Sequence, residues 1–525
     1  SQPVTGSLGH DWASAGGEAN GALEMYDLGD QHHDTLVNGI VDFVVSRDGS
    51  TLLYSAGHRL RVIKAGEKPA AGSEHEPPGR KSGWLDLDRI KVSVDPVSEW
   101  RQMFLEAWRL QREHFWMPDM SGVDWPTVRD RYLPLVEKVG SRAEFSDLMW
   151  ETQGELGTSH AYEMGGDYRP APAYALGLLG ADLRLEGGRW TFAHIVKGDS
   201  WEDGQDSPLH APGINVREGD TLLAVGGRAV GRDVHPNSLL VNQPGMAVEL
   251  TVGDARGRKP RTVIVTTLRS DTPARYREWV SRNRAYVAEK TGGRVGYVHI
   301  PDMGPHGYSE FHRSYHAEIE RDALVVDVRF NGGGHVSQLI LEKLARKRIG
   351  YDIQRWGPPE PYPEASPAGP MVAITNEWAG SDGDIFTHCF KLLSLGPVVG
   401  KRTWGGVIGI NPSHVLADGS MTTQPEYSFW FSDVGWGVEN YGTDPDYDVD
   451  IKPQDYAAGV DPQLDKAIEL VQRALRSHKP LTADVRTRPN LALPLLPPRG
   501  AAAASTNGSA RAKTPKAAAR RSRRS

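Results

Sequence analysis

The stretch at 371–386, MVAITNEWAGSDGDIF, decides how the chain is read: an apolar strand-forming run leads into AGSDG at 379–383 and then into a helix-forming segment. A serine at such a strand-to-helix turn has an exposed hydroxyl, and the nearby helix N-terminal amides favour developing negative charge. Two roles fit Ser381 on this segment alone. It caps the helix, the commoner use of a serine there, or it attacks an electrophile.

The same alternation extends on both sides. GRVGYVHI at 293–300 and ALVVDVRF at 323–330 read as strands, and 308–320, 336–346 and 382–393 read as helices. This predicts an α/β layer over 273–480 with its chemistry at the C-terminal ends of strands. The strand at 323–330 ends in Asn331 and three glycines. Consecutive glycines let backbone N–H groups converge into an oxyanion hole, or they form a plain turn, and both readings stay open here.

Toward the N-terminus the period changes. Residues 171–272 form strands, with GLLG at 177–180, a GDTLLAVGG turn and one helix expected near 235–242, a pattern that resembles a PDZ domain, which binds peptides by strand addition. Residues 96–170 form a small helical domain, with Trp100, Phe104, Trp108, Leu110 and Phe115 in helical spacing and a Ser141-x-x-Glu144 capping box. Just after its helical stretches, within the same domain, comes GTSH at 157–160. A lone histidine is more often structural than catalytic. Residues 1–95 contain short strands at 21–29, 39–57, 58–66 and 83–94, with an SRDGS hairpin turn, in the rhythm of a β-propeller blade. No propeller closes on so few strands, so they read as the end of a larger array, with the chain a fragment or the segment packed elsewhere. Residues 481–525, rich in Pro, Ala and basic groups, are expected to be disordered.

Composition bounds the function. With 39% hydrophobic and 24% charged residues and no spanning apolar run, membrane insertion is not expected. The N-terminal residues lack a signal-peptide pattern, so export is not indicated. The single Cys389 reads as a small buried apolar residue, excludes an internal disulfide and suits a cytoplasmic setting. The net charge is −7, and the tail at 501–525 contributes +7, leaving −14 on the body. A broad nucleic-acid surface is therefore not expected, although the tail could touch a polyanion. No His-Glu-x-x-His or similar ligand cluster occurs, so neither metal nor cofactor is predicted.

Taken together, GTSH at 157–160, DVRFNGGG at 327–334, AGSDG at 379–383, TWGG at 403–406 and GVEN at 437–440 resemble, in order, the tricorn peptidase family across residues 20–475. The resemblance implies a multidomain α+β chain: propeller end, helical C1 domain, PDZ-like domain and a crotonase-like or ClpP-like C2 core. It implies Ser381 as nucleophile, His160 as general base, Ser159 on the other imidazole nitrogen and Glu439 behind Ser159. The oxyanion donors are then the amide of Asp382 and one from the Gly332–Gly334 turn, Gly333 or Gly334. Asp352 falls where an S1 carboxylate is expected, supplied in one version by a neighbouring subunit; an ordinary turn aspartate is the alternative. The implied activity is a serine endopeptidase acting on oligopeptides such as those released by the proteasome, within a homohexamer and with aminopeptidases downstream. Two alternatives remain in view. The C-terminal processing peptidases use a Ser-Lys dyad, but their lysine slot is glycine here, and Lys401 reads as a solvated loop residue. A non-catalytic PDZ scaffold is the other.

Overall fold

The structure, a computed structural model, describes residues 21–169, 171–486 and 489–493. The described residues up to Leu481 form one compact unit and those from Thr482 a second. The tail expected to be disordered lies mostly outside the described residues.

At the centre of the first unit is a parallel sheet of five strands, Val295–His299, Ala323–Asp327, Met371–Thr375, Val398–Gly400 and Tyr447–Asp448, side by side in chain order. Every residue of the first three is buried. That is the condition of a parallel sheet covered on both faces. Side chains alternate between those faces. Val298, Val326 and Ala373 meet helices Pro305–Glu318, Ser337–Leu344 and Asp382–Leu392, while Tyr297, Val325 and Val372 meet helices Thr272–Thr291 and Pro462–Ser477. Because strand order never reverses, right-handed crossovers bring the three connecting helices to one face. All three start beyond the C-terminal ends of their strands, where the loops of βα units gather.

Residues 181–266 build an antiparallel sheet around Phe192, Leu222 and Leu250. The helix expected near 235–242 is a short 3₁₀ turn, Pro236–Leu239. His235 Nδ1 accepts the Asn237 amide, and the chain then leaves to bridge Val241 with Leu176, which stops propagation.

Residues 96–154 fold as three helices, Pro96–His114, Trp125–Val136 and Arg142–Gly154. Half of the predicted capping box forms: Ser141 Oγ accepts the Glu144 amide at 3.2 Å, but the Glu144 carboxylate reaches the Gly140 amide instead of that of Ser141. Before them lie a two-stranded sheet, Gly21–Asp27 with His32–Ile40, and a three-stranded one, Asp42–Val45, Thr51–Ala56 and Arg59–Lys64. Gly49, at φ 71°, makes the SRDGS turn as expected. The strand expected at 83–94 does not form. Only Trp84 pairs, with Arg61, and Ile90, Val92 and Val94 beyond it are exposed, with no sheet edge beside them to complete a ladder. Among the described residues, no helix is long and apolar enough to cross a membrane.

Candidate active site

Ser381 stands between strand Met371–Thr375 and helix Asp382–Leu392 with φ 56° and ψ −121°. A non-glycine residue in so sparsely populated a region costs roughly 1–3 kcal/mol and persists only where its surroundings over-determine it. They do so here. The Gly380 amide donates to Asn331 O (3.0 Å), the Trp404 amide to Ala379 O (3.0 Å), and the Gly383 amide to Gly380 O (2.8 Å). A Cβ on Gly333 would lie 2.6 Å from Ser381 Cβ, so only glycine lets this loop close on the serine. Although Ser381 occupies the N-cap position, its hydroxyl makes no cap hydrogen bond. The capping reading therefore fails, and the hydroxyl faces a cavity of about 420 Å³.

The glycine turn lies against this corner. The Gly333 amide is already donated to Asn331 Oδ1 (2.9 Å), and the buried Asn331 is held in turn by Ile300 O. Gly334, at φ 146°, lines the cavity together with Ser381 and Asp382. The Asp382 carboxylate accepts the Ser337 amide at 2.9 Å and the Ser337 hydroxyl, and burial pushes its pKa up to about 6.

His160 reaches the same cavity from the end of the helical region, itself in the left-handed region at φ 63°. Its Nδ1 lies 2.7 Å from Ser159 Oγ, and Ser159 Oγ lies 3.1 Å from Glu439 Oε2. Glu439 also accepts the Ser159 amide (2.7 Å), the Thr158 hydroxyl (3.0 Å) and the amides of Val407 (2.7 Å) and Ile408 (3.1 Å). Because a carboxylate only accepts, the Ser159 proton points to Glu439, and Ser159 Oγ receives the proton on His160 Nδ1. That assignment leaves Nε2 with its lone pair free. Burial lowers the His160 pKa below its ordinary value, with the Glu439 charge opposing. No hydrogen bond joins Ser381 Oγ to His160 in this structure, as is common before a ligand aligns such a pair.

The predicted residues thus fall in two groups. Ser381, Asp382, Gly334 and His160 share the cavity wall, with Gly333, Ser159 and Glu439 directly behind it. Asp352 is not among them; it lies exposed in a small hairpin with Glu360 as its register partner. Lys401 is ion-paired to Asp448 at 2.7 Å and no lysine lines the cavity. Cys389 is half-buried on the cavity wall, more open than expected, since helix Asp382–Leu392 turns that face toward the space. Sequence reading missed Thr158, the amides of Val407 and Ile408, and Asp384. The last is a fully buried carboxyl whose pKa burial raises to about 7 and which accepts the Gly405 amide at 2.8 Å. Thr158 sat inside a motif already singled out, whereas backbone donors leave no mark in a sequence.

Comparison with known proteins identifies the family of the chain. The peptidase family S41 matches residues 294–449, the tricorn protease C1 domain residues 96–154 and the tricorn protease PDZ domain residues 177–270. Tricorn protease homolog 1 of Streptomyces coelicolor is 47% identical over 90% of this chain and 44% of its own length. The tricorn protease of Thermoplasma acidophilum is 39% identical over 88% of this chain and 42% of its own. The crystal structure of the tricorn protease superposes with a TM-score of 0.79 at 38% identity, covering 89% of this chain and 44% of that one. The chain thus spans less than half the length of these relatives. With three domain families in order and the strand–serine–helix corner at their centre, the chain belongs to the tricorn protease family of serine-type peptidases.

Proposed function

We propose that the chain hydrolyses peptide bonds within oligopeptides through an acyl-enzyme on Ser381. His160 Nε2 takes the Ser381 hydroxyl proton as Oγ attacks the scissile carbonyl. The imidazolium then gives that proton to the departing amine, and water repeats the cycle to release the acyl group. Ser159 holds the histidine tautomer, and Glu439 polarises Ser159. The amides of Asp382 and Gly334 receive the oxyanion, while Gly333 serves by letting the loop approach. The observation carrying this reading is that His160, backed by Ser159 and Glu439, faces the same cavity as the strained, uncapped Ser381.

The cavity suggests which side chain it takes. Leu341, Ile385, Ile408, Ile410 and Phe429 line it, and its one carboxylate, Asp382, is bonded to Ser337. An apolar P1 residue suits that wall. A basic one would need Asp352 from another copy. On the family relationship, the working form is a homo-oligomer, a hexamer, in the cytoplasm, receiving peptides such as those a proteasome releases and passing products to aminopeptidases. The N-terminal antiparallel sheets are then the end of a propeller, over residues 1–95. The C1 region spans 96–170, the PDZ-like region 171–272 and a crotonase-like core 273–480. Fluorogenic peptides with P1 Phe or Arg test the activity. Ser381→Ala and His160→Ala should each lower turnover at least ~10³-fold. Undiminished hydrolysis by the first returns the chain to a binding scaffold, and by the second to a lysine-type mechanism.

A further inference from the structure

Thr423, fully buried, sits on the chain opposite the histidine rather than beside the cavity. Its hydroxyl makes two bonds in opposite senses: it donates to His160 O at 2.5 Å and accepts the Tyr162 amide at 2.8 Å. Its own amide donates to Tyr162 O at 3.0 Å, and its carbonyl accepts Gln111 Nε2 at 2.8 Å, tying the cluster to helix Pro96–His114. The neighbouring pairs Met421–Met164 and Thr422–Glu163 continue the ladder. Both peptide groups flanking Ala161 are therefore clamped by one side chain. That matters because His160 is held at φ 63°, where an L-residue finds no intrinsic minimum of comparable depth and its carbonyl direction must be fixed from outside.

We propose that Thr423 is a positioning residue for the general base: its hydroxyl, bonded to the His160 carbonyl and the Tyr162 amide, holds the imidazole against Ser159 and aims it at Ser381. The proposal rests on His160 acting as base. Thr423 does not line the cavity and bonds the backbone of His160, so its effect is on geometry alone. Small displacements of a catalytic group cost rate steeply while substrate binding, made by the cavity wall, is left intact.

The test uses the full chain and a fluorogenic peptide, with Thr423→Val, Thr423→Ala and Thr423→Ser measured beside His160→Ala. Valine keeps the shape without the hydroxyl, alanine covers the case in which valine fails to fold, and serine restores the hydroxyl. The expected result is kcat lowered ~10- to 100-fold in the valine and alanine variants with KM within about twofold, and kcat within about threefold of the parent for serine. Labelling of Ser381 by a fluorophosphonate should slow in parallel. If the hydroxyl-free variants keep kcat within about threefold, or if serine is as slow as alanine, the clamp is not what aims the base. Should His160→Ala retain turnover, it is the assignment of the base that falls, a result separable from either.

Discussion

At the Ser381 corner the holding is done by nearby backbone: a strand end, a helix start and two glycine turns leave the serine one conformation, and its side chain contributes nothing to its own placement. At His160 almost the reverse holds. The residue precedes the sheet that carries its partner by more than a whole domain, and its position depends on side-chain bonds to Glu439, 280 residues from Ser159, and to Thr423, 263 residues away. The comparison teaches that one half of the machinery is built into a supersecondary unit, while the other is assembled by docking. On the proposed mechanism, the placement of Ser381 should survive loosening of the helical domain, and that of His160 should not.

That contrast can be broken experimentally. The largest effect is expected at the docked half. Glu439→Ala removes the acceptor of five donors, leaving the amides of Ser159, Val407 and Ile408 unpaired and the tautomer of His160 unset. Loss of kcat by about 10³-fold is expected, and peptide turnover within tenfold of the parent would show that Glu439 is dispensable. Next comes the local half, where Gly333→Ala places a Cβ 2.6 Å from that of Ser381 at a φ of 83°. We expect kcat to fall about 10²-fold through displacement of the nucleophile alone. Fluorophosphonate labelling reads that loss directly, and labelling at the parent rate would mean the corner has slack.

The smallest effect is a shift in a pH profile. The proposed mechanism needs neutral His160, so kcat/KM is then present above the pKa of the free enzyme's imidazole and is lost as pH falls through it. Burial lowers that pKa from 6.5, which puts the midpoint of the acid limb below 6.5. A midpoint above 6.5 would mean that the Glu439 charge outweighs burial and that the docked half is wetter than the structure has it.

The legible parts of this molecule share a physical origin. Strand 371–375, the turn at 379–383 and the glycines at 332–334 could be read because apolar runs and glycine clusters are local signals, and adjacent strands of one sheet bring them together. The helices at 96–154 carried their periodicity openly. Less legible was helix Thr272–Thr291, whose apolar and polar residues are weakly segregated although, with the strongly amphipathic helix Pro462–Ser477, it covers one whole face of the sheet. The strand expected at 83–94 had the right alternation but lacks a neighbour to pair with, and the helix expected near 235–242 yielded to a bridge between Leu176 and Val241. Alternation and apolarity describe what a segment is able to do, not whether a partner is within reach.

From the residues alone, then, came the α/β layer and the serine at its strand-to-helix turn, while the family resemblance carried by five ordered motifs implied the pairing of Ser381 with His160. Folding in three dimensions was needed to release the Ser381 hydroxyl from capping, to commit the Gly333 amide to Asn331, and to leave Asp352 outside the cavity of its own chain. The reason is that a hydrogen bond is used up by whichever partner comes close first. Sequence lists the donors and acceptors, whereas proximity between distant stretches allots them.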